Sequence, residues 1–384
     1  MKVTKLFKSF FESEKSGGLF LIGCTIFSLG IANSAWGDEY HHFFEYQLGN
    51  HSLEHWINDG LMTIFFLLIG LELEREIYQG ELANIKDALL PVFAAIGGML
   101  LPALIFLAFN FGHPTQSGAG IPMATDIAFA LGILSLLGNR VPTSLKVFLT
   151  ALAIIDDLGA ILVIALFYTK TIFWGNLGIA FGIFGGLLVL NRLKVRNLIP
   201  YLIGGVAMWY FMLNSGVHAT ITGVLLAFAI PFGNGDEKST SYILQHFLHR
   251  PVAFIILPIF ALANTALVFS GNAFELLTQD YSLGIEMGLV LGKPLGILLF
   301  SFIAVRLGIC NLPDDLSWPS IFGVGLLGGI GFTMSIFITL LAFEDVALIN
   351  NAKLAILISS LAAGILGYFI LKFILNREVI EEEA

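Results

Sequence analysis

The sequence predicts an all-α polytopic membrane protein, and three observations predict it. The 384 residues are 57% hydrophobic and only 12% charged, where soluble domains carry about 25% charged residues. Apolar runs of roughly 20 residues, the length a helix needs to cross a bilayer core, recur from one end to the other. The basic residues fall in every second connection, which is the charge bias that orients spanning helices.

Taken in order, the runs give twelve spans: 17–35, 58–77, 88–109, 119–138, 144–169, 173–190, 199–213, 217–231, 251–270, 283–305, 319–342 and 350–374. The seventh and eighth are short and separated only by Asn214-Ser215-Gly216. With the N-terminus in the cytoplasm, sixteen of the 19 Lys and Arg residues lie on that side, Lys170 and Lys353 lie opposite, and Lys293 lies within span ten. An even number of spans returns the C-terminus to the cytoplasm. No soluble domain interrupts the chain, so one transmembrane domain is expected over 1–384. It is flanked by a basic, amphipathic start at 1–16, read as an interfacial helix, and an acidic tail at 375–384.

The remaining features set limits. The net charge of −9 argues against nucleic-acid binding. The two cysteines, Cys24 and Cys310, have no metal-ligand spacing and imply neither disulfide framework nor zinc. One external connection, 38–57, is long and polar, alternates aromatic and apolar residues, and has Gly49-Asn50 at its middle. That pattern predicts a β-hairpin, whose exposed edge invites pairing with a second copy of the chain.

The stretch around which the chain is organised is Ala151-Leu-Ala-Ile-Ile-Asp156-Asp157-Leu-Gly-Ala160, near the centre of an apolar run. An Asp at a helix centre costs roughly 2.5–3.5 kcal/mol even on a lenient insertion scale, and ionisable residues at that depth mark ion or proton paths. Consecutive helical side chains diverge by about 100°. One of these carboxylates can face an ion while the other faces a neighbouring helix. Proton release and cation binding then compete at one place.

Two spans carry helix breakers in corresponding positions. Span four has Gly120-Ile-Pro122-Met-Ala-Thr125-Asp126, and span eleven has Gly328-Gly329-Ile-Gly331-Phe-Thr333. Each is the middle of a group of three, spans three to five and ten to twelve. A matched pair of interrupted helices is the best sequence pointer to a transport site between inverted repeats. Thr125 and Asp126 suit the N-cap of a following half-helix, and the threonine hydroxyl and freed carbonyls offer the oxygen ligands that hard cations prefer. Lys293, the sole base deep in a span, is expected to neutralise one Asp or to carry a proton itself.

Several motif matches fail on context. Gly323-Val-Gly325-Leu-Leu-Gly328 has no strand–turn–helix setting, and Gly288 to Lys293 is one residue short of a P-loop, with Pro294 where Ser or Thr is needed. Gly233-Asn-Gly235-Asp236 resembles the G-x-G-D element of intramembrane aspartyl proteases, but it lies in a polar cytoplasmic loop, where it cannot face a membrane aspartate. His246 and His249 share a helix face without a third ligand, which reads as a solvated face rather than a metal site.

Five motifs together resemble the NhaA-type bacterial sodium/proton antiporters: Ile121 to Gly132, Ala153 to Gly159, Gly216-Val-His218-Ala-Thr220, Gly292 to Gly296, and Gly329 to Ser335. The likeness runs in order from the N-terminus to span twelve. It implies twelve helices with two interrupted ones crossing at mid-membrane, and an ion and proton site at Asp156 and Asp157. Thr125 and Asp126 would line that site or balance the helix ends, and Lys293 would pair with Asp156. It further implies an acidic funnel open to the cytoplasm and a homodimer held partly by the 38–57 hairpin. Glu72, Glu76, His218, His246 and His249 occupy positions linked in the family to pH response. Family members often have an acidic residue where this chain has Gln245, a departure that bears on the set point of activation.

The expected activity is electrogenic, alkali-activated expulsion of Na⁺ or Li⁺ in exchange for H⁺ across a bacterial inner membrane, serving sodium tolerance and cytoplasmic pH. No cofactor and no enzymatic chemistry are expected. Two rivals differ in class. A sodium-coupled symporter of organic anions would need cationic groups to spare, and Lys293 is the sole deep base. An intramembrane aspartyl protease would need carboxylates from facing helices, and Asp156 and Asp157 diverge.

Overall fold

The computed structural model describes residues 5–169, 171–268 and 273–383. The first four residues of the amphipathic start, Lys170 and the final Ala384 lie outside them. The elements are α1 (Lys5–Ala32), α2 (Gly37–Glu45), β1 (Gln47–Leu48), β2 (His51–Ser52), α3 (Leu53–Gln79) and α4 (Ile85–Asn110). A 3₁₀ segment, Pro114–Met123, then leads into α5 (Ile127–Leu136). There follow α6 (Thr143–Phe167), α7 (Trp174–Arg192), α8 (Ile199–Leu213), α9 (Ile221–Ala229) and α10 (Thr240–Asn264). The chain ends with α11 (Ala273–Leu277), α12 (Asp280–Arg306), α13 (Trp318–Gly328), α14 (Phe332–Ala342) and α15 (Val346–Glu383).

Among the described residues seven helices are long and apolar enough to cross a membrane, or up to ten if each bent pair is one span. The protein is thus a mostly helical polytopic membrane protein. Two of the bent pairs are the interrupted spans, Pro114–Met123 with α5 at 41° and α13 with α14 at 50°. The third, in which α1 turns into α2 by 113°, is a corner.

Several boundaries differ from the expected ones. The stretch 5–15 is the continuous start of α1, which runs on through Ser16-Gly17-Gly18 into the apolar run. α10 begins about ten residues before the apolar run and carries His246 and His249 within the same rod. The expected tail at 375 is a continuation of α15 to Glu383, in keeping with its helix-forming residues. The external connection is half helix. Asp38 and Glu39 in the first turn of α2 complement its positive end, and strand pairing is confined to Gln47↔Ser52 and Leu48↔His51. Gly49 turns that small hairpin at φ +74°, and the Trp56 indole donates to the Leu48 carbonyl (2.9 Å).

The single domain expected from sequence is built as two compact units. One comprises residues 24–83 and 161–266. Here α3 and α9 meet backbone to backbone: a Cβ on Gly223 would lie 2.2 Å from the Thr63 carbonyl oxygen, and one on Gly70 would lie 2.6 Å from the Ala227 methyl. Small residues serve this purpose in membranes, where close packing rather than water exclusion joins helices. The other unit comprises residues 1–23, 84–160 and 267–384. Its central crossing is α4 on α12, where Gly97 and Gly296 face each other so closely that a Cβ on either would meet the other's carbonyl oxygen at 2.2 or 2.1 Å.

That crossing sets Lys293 in place. Just before it, α12 opens into a π turn at Gly288–Gly292, closed by the Lys293 N–H donating to the Gly288 carbonyl. Pro294 follows and has no N–H to continue the ladder. The same sequence of events, a π turn at Val252–Ile256, then Leu257 and Pro258, occurs in α10.

Candidate ion and proton site

The site is assembled at the two broken helices. Pro122 ends the 3₁₀ segment, Ala124 is extended, and Asp126 stands as N-cap of α5, its Oδ1 accepting from the Phe129 N–H at 3.1 Å. In the second break Gly331 is the N-cap of α14 and has no side chain to offer. Gly331 and Gly329 are required by close approach: a Cβ at 331 would strike the Ser335 hydroxyl at 2.1 Å, and one at 329 would strike the Leu289 carbonyl at 2.3 Å. Gly328, the last residue of α13, supplies a carbonyl instead of a side chain.

The two breaks are tied directly to each other. The Asp126 N–H donates to the Ile330 carbonyl (2.6 Å), and the Ser335 hydroxyl donates to the Ile121 carbonyl (2.7 Å). Oδ2 of Asp126 accepts from both the backbone N–H (3.0 Å) and the hydroxyl (2.5 Å) of Thr333. One carboxylate therefore caps two half-helices. With no water in a hydrocarbon core, such backbone groups must be satisfied within the protein, and the positive ends of two helix dipoles favour an anion between them.

Asp156 and Asp157 come from the middle of α6, and both are fully buried. Asp156 Oδ2 accepts from Lys293 Nζ at 2.7 Å and from the Thr125 hydroxyl at 2.8 Å. The same hydroxyl lies 2.8 Å from the Gly328 carbonyl. A hydroxyl has one proton to give, so the two acceptors compete for it. Lys293, also fully buried, donates in addition to the Met123 carbonyl at the end of the 3₁₀ segment. Asp157 is different. Neither of its carboxyl oxygens has a hydrogen-bond partner among the described residues.

This arrangement places Thr125, Asp126, Asp156, Lys293, Pro122, Gly328, Gly329 and Gly331 in one connected constellation, with Asp157 next along the helix. The residues associated with pH response are in the other unit. His249 is buried and directs Nε2 toward Oε1 of Glu72 at 3.5 Å, itself buried. His246 is exposed and stacks on Tyr242, over which the Arg75 guanidinium also lies. The two imidazoles thus do not share a face as a pair. Glu76 is half-buried against Gly80. His218 is not with them; its Nε2 bonds to the Tyr168 carbonyl (2.9 Å).

Sequence reasoning passed over three participants. Thr333 was visible in the second break but only as part of a motif. Ser360, whose hydroxyl accepts from the Phe332 N–H at 3.1 Å, was signalled by a polar pair, Ser359-Ser360, in an apolar helix. The Met123 carbonyl carries no signal at all. Glu74, which the sequence already groups with Glu72 and Glu76 in one acidic run, is buried two residues from Glu72, with Oε2 unpartnered among the described residues.

The profile of the family described as Na+/H+ antiporter 1 matches residues 8–371. The chain belongs to that family. A Na(+)/H(+) antiporter NhaA of Flavobacterium psychrophilum is 74% identical over 383 residues, covering 100% of both chains. Na(+)/H(+) antiporter NhaA 1 of Flavobacterium johnsoniae is 67% identical, covering 98% of this chain and 99% of its own. A Cytophaga hutchinsonii protein of the same name is 62% identical, covering 100% and 99%. Family membership therefore extends over the whole constellation just described, both breaks and the α6 carboxylates included.

Proposed function

We propose that the protein is a secondary antiporter that expels Na⁺, and Li⁺, from the cytoplasm in exchange for inward H⁺. The observation that carries this reading is the inequality of two adjacent buried carboxylates: Asp156 is held by Lys293 and Thr125, while Asp157 has no hydrogen-bond partner among the described residues. A carboxyl group so placed exists either protonated or with a cation beside it, because a bare charge in a dry interior is prohibitive. Binding one species means releasing the other.

Asp157 is the primary cation and proton site in this reading, with Asp156 and the Thr125 hydroxyl completing an oxygen set suited to a hard cation. Asp126 is a cap for two half-helices rather than a ligand. When a cation arrives, Asp157 gives up one proton and a second leaves from Asp156 or from Lys293 once their pair is broken. Two protons for one cation moves about one net charge per cycle, so membrane potential drives expulsion with roughly 2.3 kcal/mol per 100 mV. Glu72, Glu76, His246 and His249 raise activity with alkaline pH, a reading supported by the buried His249 Nε2 directed at Glu72 Oε1 at 3.5 Å. His218 contributes from its own position.

The finer architecture belongs to the same proposal. The chain crosses a bacterial inner membrane twelve times with both termini in the cytoplasm. Spans three to five and ten to twelve form inverted repeats around the two breaks, and two copies pair through the 38–57 connection. The organic-anion symporter is disfavoured because Lys293 is already engaged by a carboxylate and a carbonyl. The protease is disfavoured because Asp236 lies exposed in a turn. Purified protein in liposomes decides among them. Adding NaCl with no other solute drives protons out of the Na⁺-receiving compartment for the antiporter, and leaves pH unchanged for the other two.

A further inference from the structure

The second break presents a problem that the first does not. The amide end of α14, an 11-residue helix, carries a positive partial charge of about half a unit. It opens directly beside the carboxylate constellation. At the first break the cap is local, because Asp126 is itself the N-cap residue. At the second, the N-cap is Gly331, and a Cβ there would displace the Ser335 hydroxyl, which bonds to the Ile121 carbonyl. The orphan amides of α14 must therefore be satisfied by groups from elsewhere in the chain. Asp126 takes the Thr333 N–H. The Phe332 N–H, the first of the helix, is taken by the buried Ser360 hydroxyl of α15.

We propose that Ser360 is a positioning residue for cation exchange, neutralising the first amide of α14 from a helix that contributes no carboxylate to the site. The proposal rests on the antiport reading above. Two consequences of the geometry follow. The Ser360 bond holds the Gly331–Phe332 turn, and that turn fixes the Gly328 carbonyl competing with Asp156 for the Thr125 hydroxyl. It also offsets part of the positive potential that the carboxylates feel. Without the acceptor, an unpaired N–H remains at the same helix end whose Thr333 amide meets Asp126, and that extra positive potential weakens cation and proton binding together. The neighbouring Ser359 is equally buried but donates to the Ala355 carbonyl of its own helix, which makes it an internal control.

The test uses the full chain, purified and reconstituted in liposomes, with exchange measured against Na⁺ concentration from neutral to alkaline pH. Ser360→Ala is expected to raise the apparent KM for Na⁺ about threefold, the effect of one helix-terminus interaction, with maximal rate essentially retained. Its pH of half-maximal activity is expected to move to the acid side, because the carboxylates release protons more readily. Ser360→Thr restores both parameters, and Ser359→Ala leaves both at wild type. Should Ser360→Ala fail to survive purification, Ser360→Cys keeps the volume with a weaker acceptor and is expected to show a smaller shift of the same sign. Unchanged KM and pH profile, or an equal shift in Ser359→Ala, overturns the proposal. Absence of exchange in the wild type, by contrast, would remove the antiport reading itself.

Discussion

The two faces that α6 turns to its surroundings at mid-length are one residue apart and provided for in opposite ways. On the Asp156 side a lysine, a threonine and, through them, two carbonyls close around Oδ2, while Oδ1 has no hydrogen-bond partner among the described residues. On the Asp157 side the described residues offer neither carboxyl oxygen a hydrogen bond. Breaking a buried ion pair is costly, and a carboxyl group with no partner on either oxygen is costly to keep charged. In the proposed reading, the Lys293-paired Asp156 holds the site together and Asp157 turns it over.

The largest expected effect tests the open face. Asp157→Asn replaces the titrating group with an amide of the same shape. Exchange is expected to fall below detection in liposomes while the protein still elutes as a folded species in detergent. Substantial Na⁺/H⁺ exchange by this variant would move the cation site elsewhere. The closed face is tested next, through Lys293→Gln, which leaves the Asp156 carboxylate without its cation. Removing one partner of a buried pair costs about 3–5 kcal/mol, read as a lower thermal midpoint. A second substitution, Asp156→Asn, is expected to recover much of that loss. The same Lys293 variant sharpens the charge accounting: exchange that still responds to imposed voltage assigns the second proton to Asp156, and voltage-insensitive exchange assigns it to Lys293.

A smaller effect is expected at the cap between the breaks. In Asp126→Asn the amide oxygen still accepts one of the two sets of bonds, so stability should drop by about 1–2 kcal/mol with exchange reduced but present. Complete loss of exchange in a folded protein would make Asp126 a direct ligand. The smallest effect belongs to the other unit. Glu76→Gln together with His249→Ala is expected to move the pH midpoint of activity by about half a unit, from the spread of a shared titration, with maximal rate preserved. An unchanged pH profile would reduce these residues to a structural role.

The positions of the breaks were legible because their causes are local. Pro122 removes a donor, Asp126 has the chemistry of an N-cap, and a glycine cluster at 328–331 cannot sustain a helix. The length of α10 was not legible, because its first turns are amphipathic and the hydropathic pattern that marks a span begins only later. The hairpin was half legible. Gly49-Asn50 marks the turn, but the competing helical preference of 37–45 depends on where α1 ends. Ser360 was marked only as half of a polar pair, and its role was not legible, since a serine in an apolar helix has the same signature whether it bonds to its own backbone, as Ser359 does, or reaches across to Phe332.

Composition, span periodicity and charge bias were enough for the sequence alone to determine a helical membrane protein, since each depends only on residue type and spacing. So too were the depth of Asp156 and Asp157 and the fact that they diverge, because 3.6 residues per turn is a property of the helix itself. The family resemblance implied that Asp156 receives Lys293, but residue spacing does not determine it, and the tertiary structure shows the reason. That choice depends on the glycine-to-glycine crossing of α4 and α12 and on the π turn before Lys293, which set the rotation and height of a helix far away in the chain. Local geometry fixes the directions in which side chains leave a helix, and only packing decides what stands there to meet them.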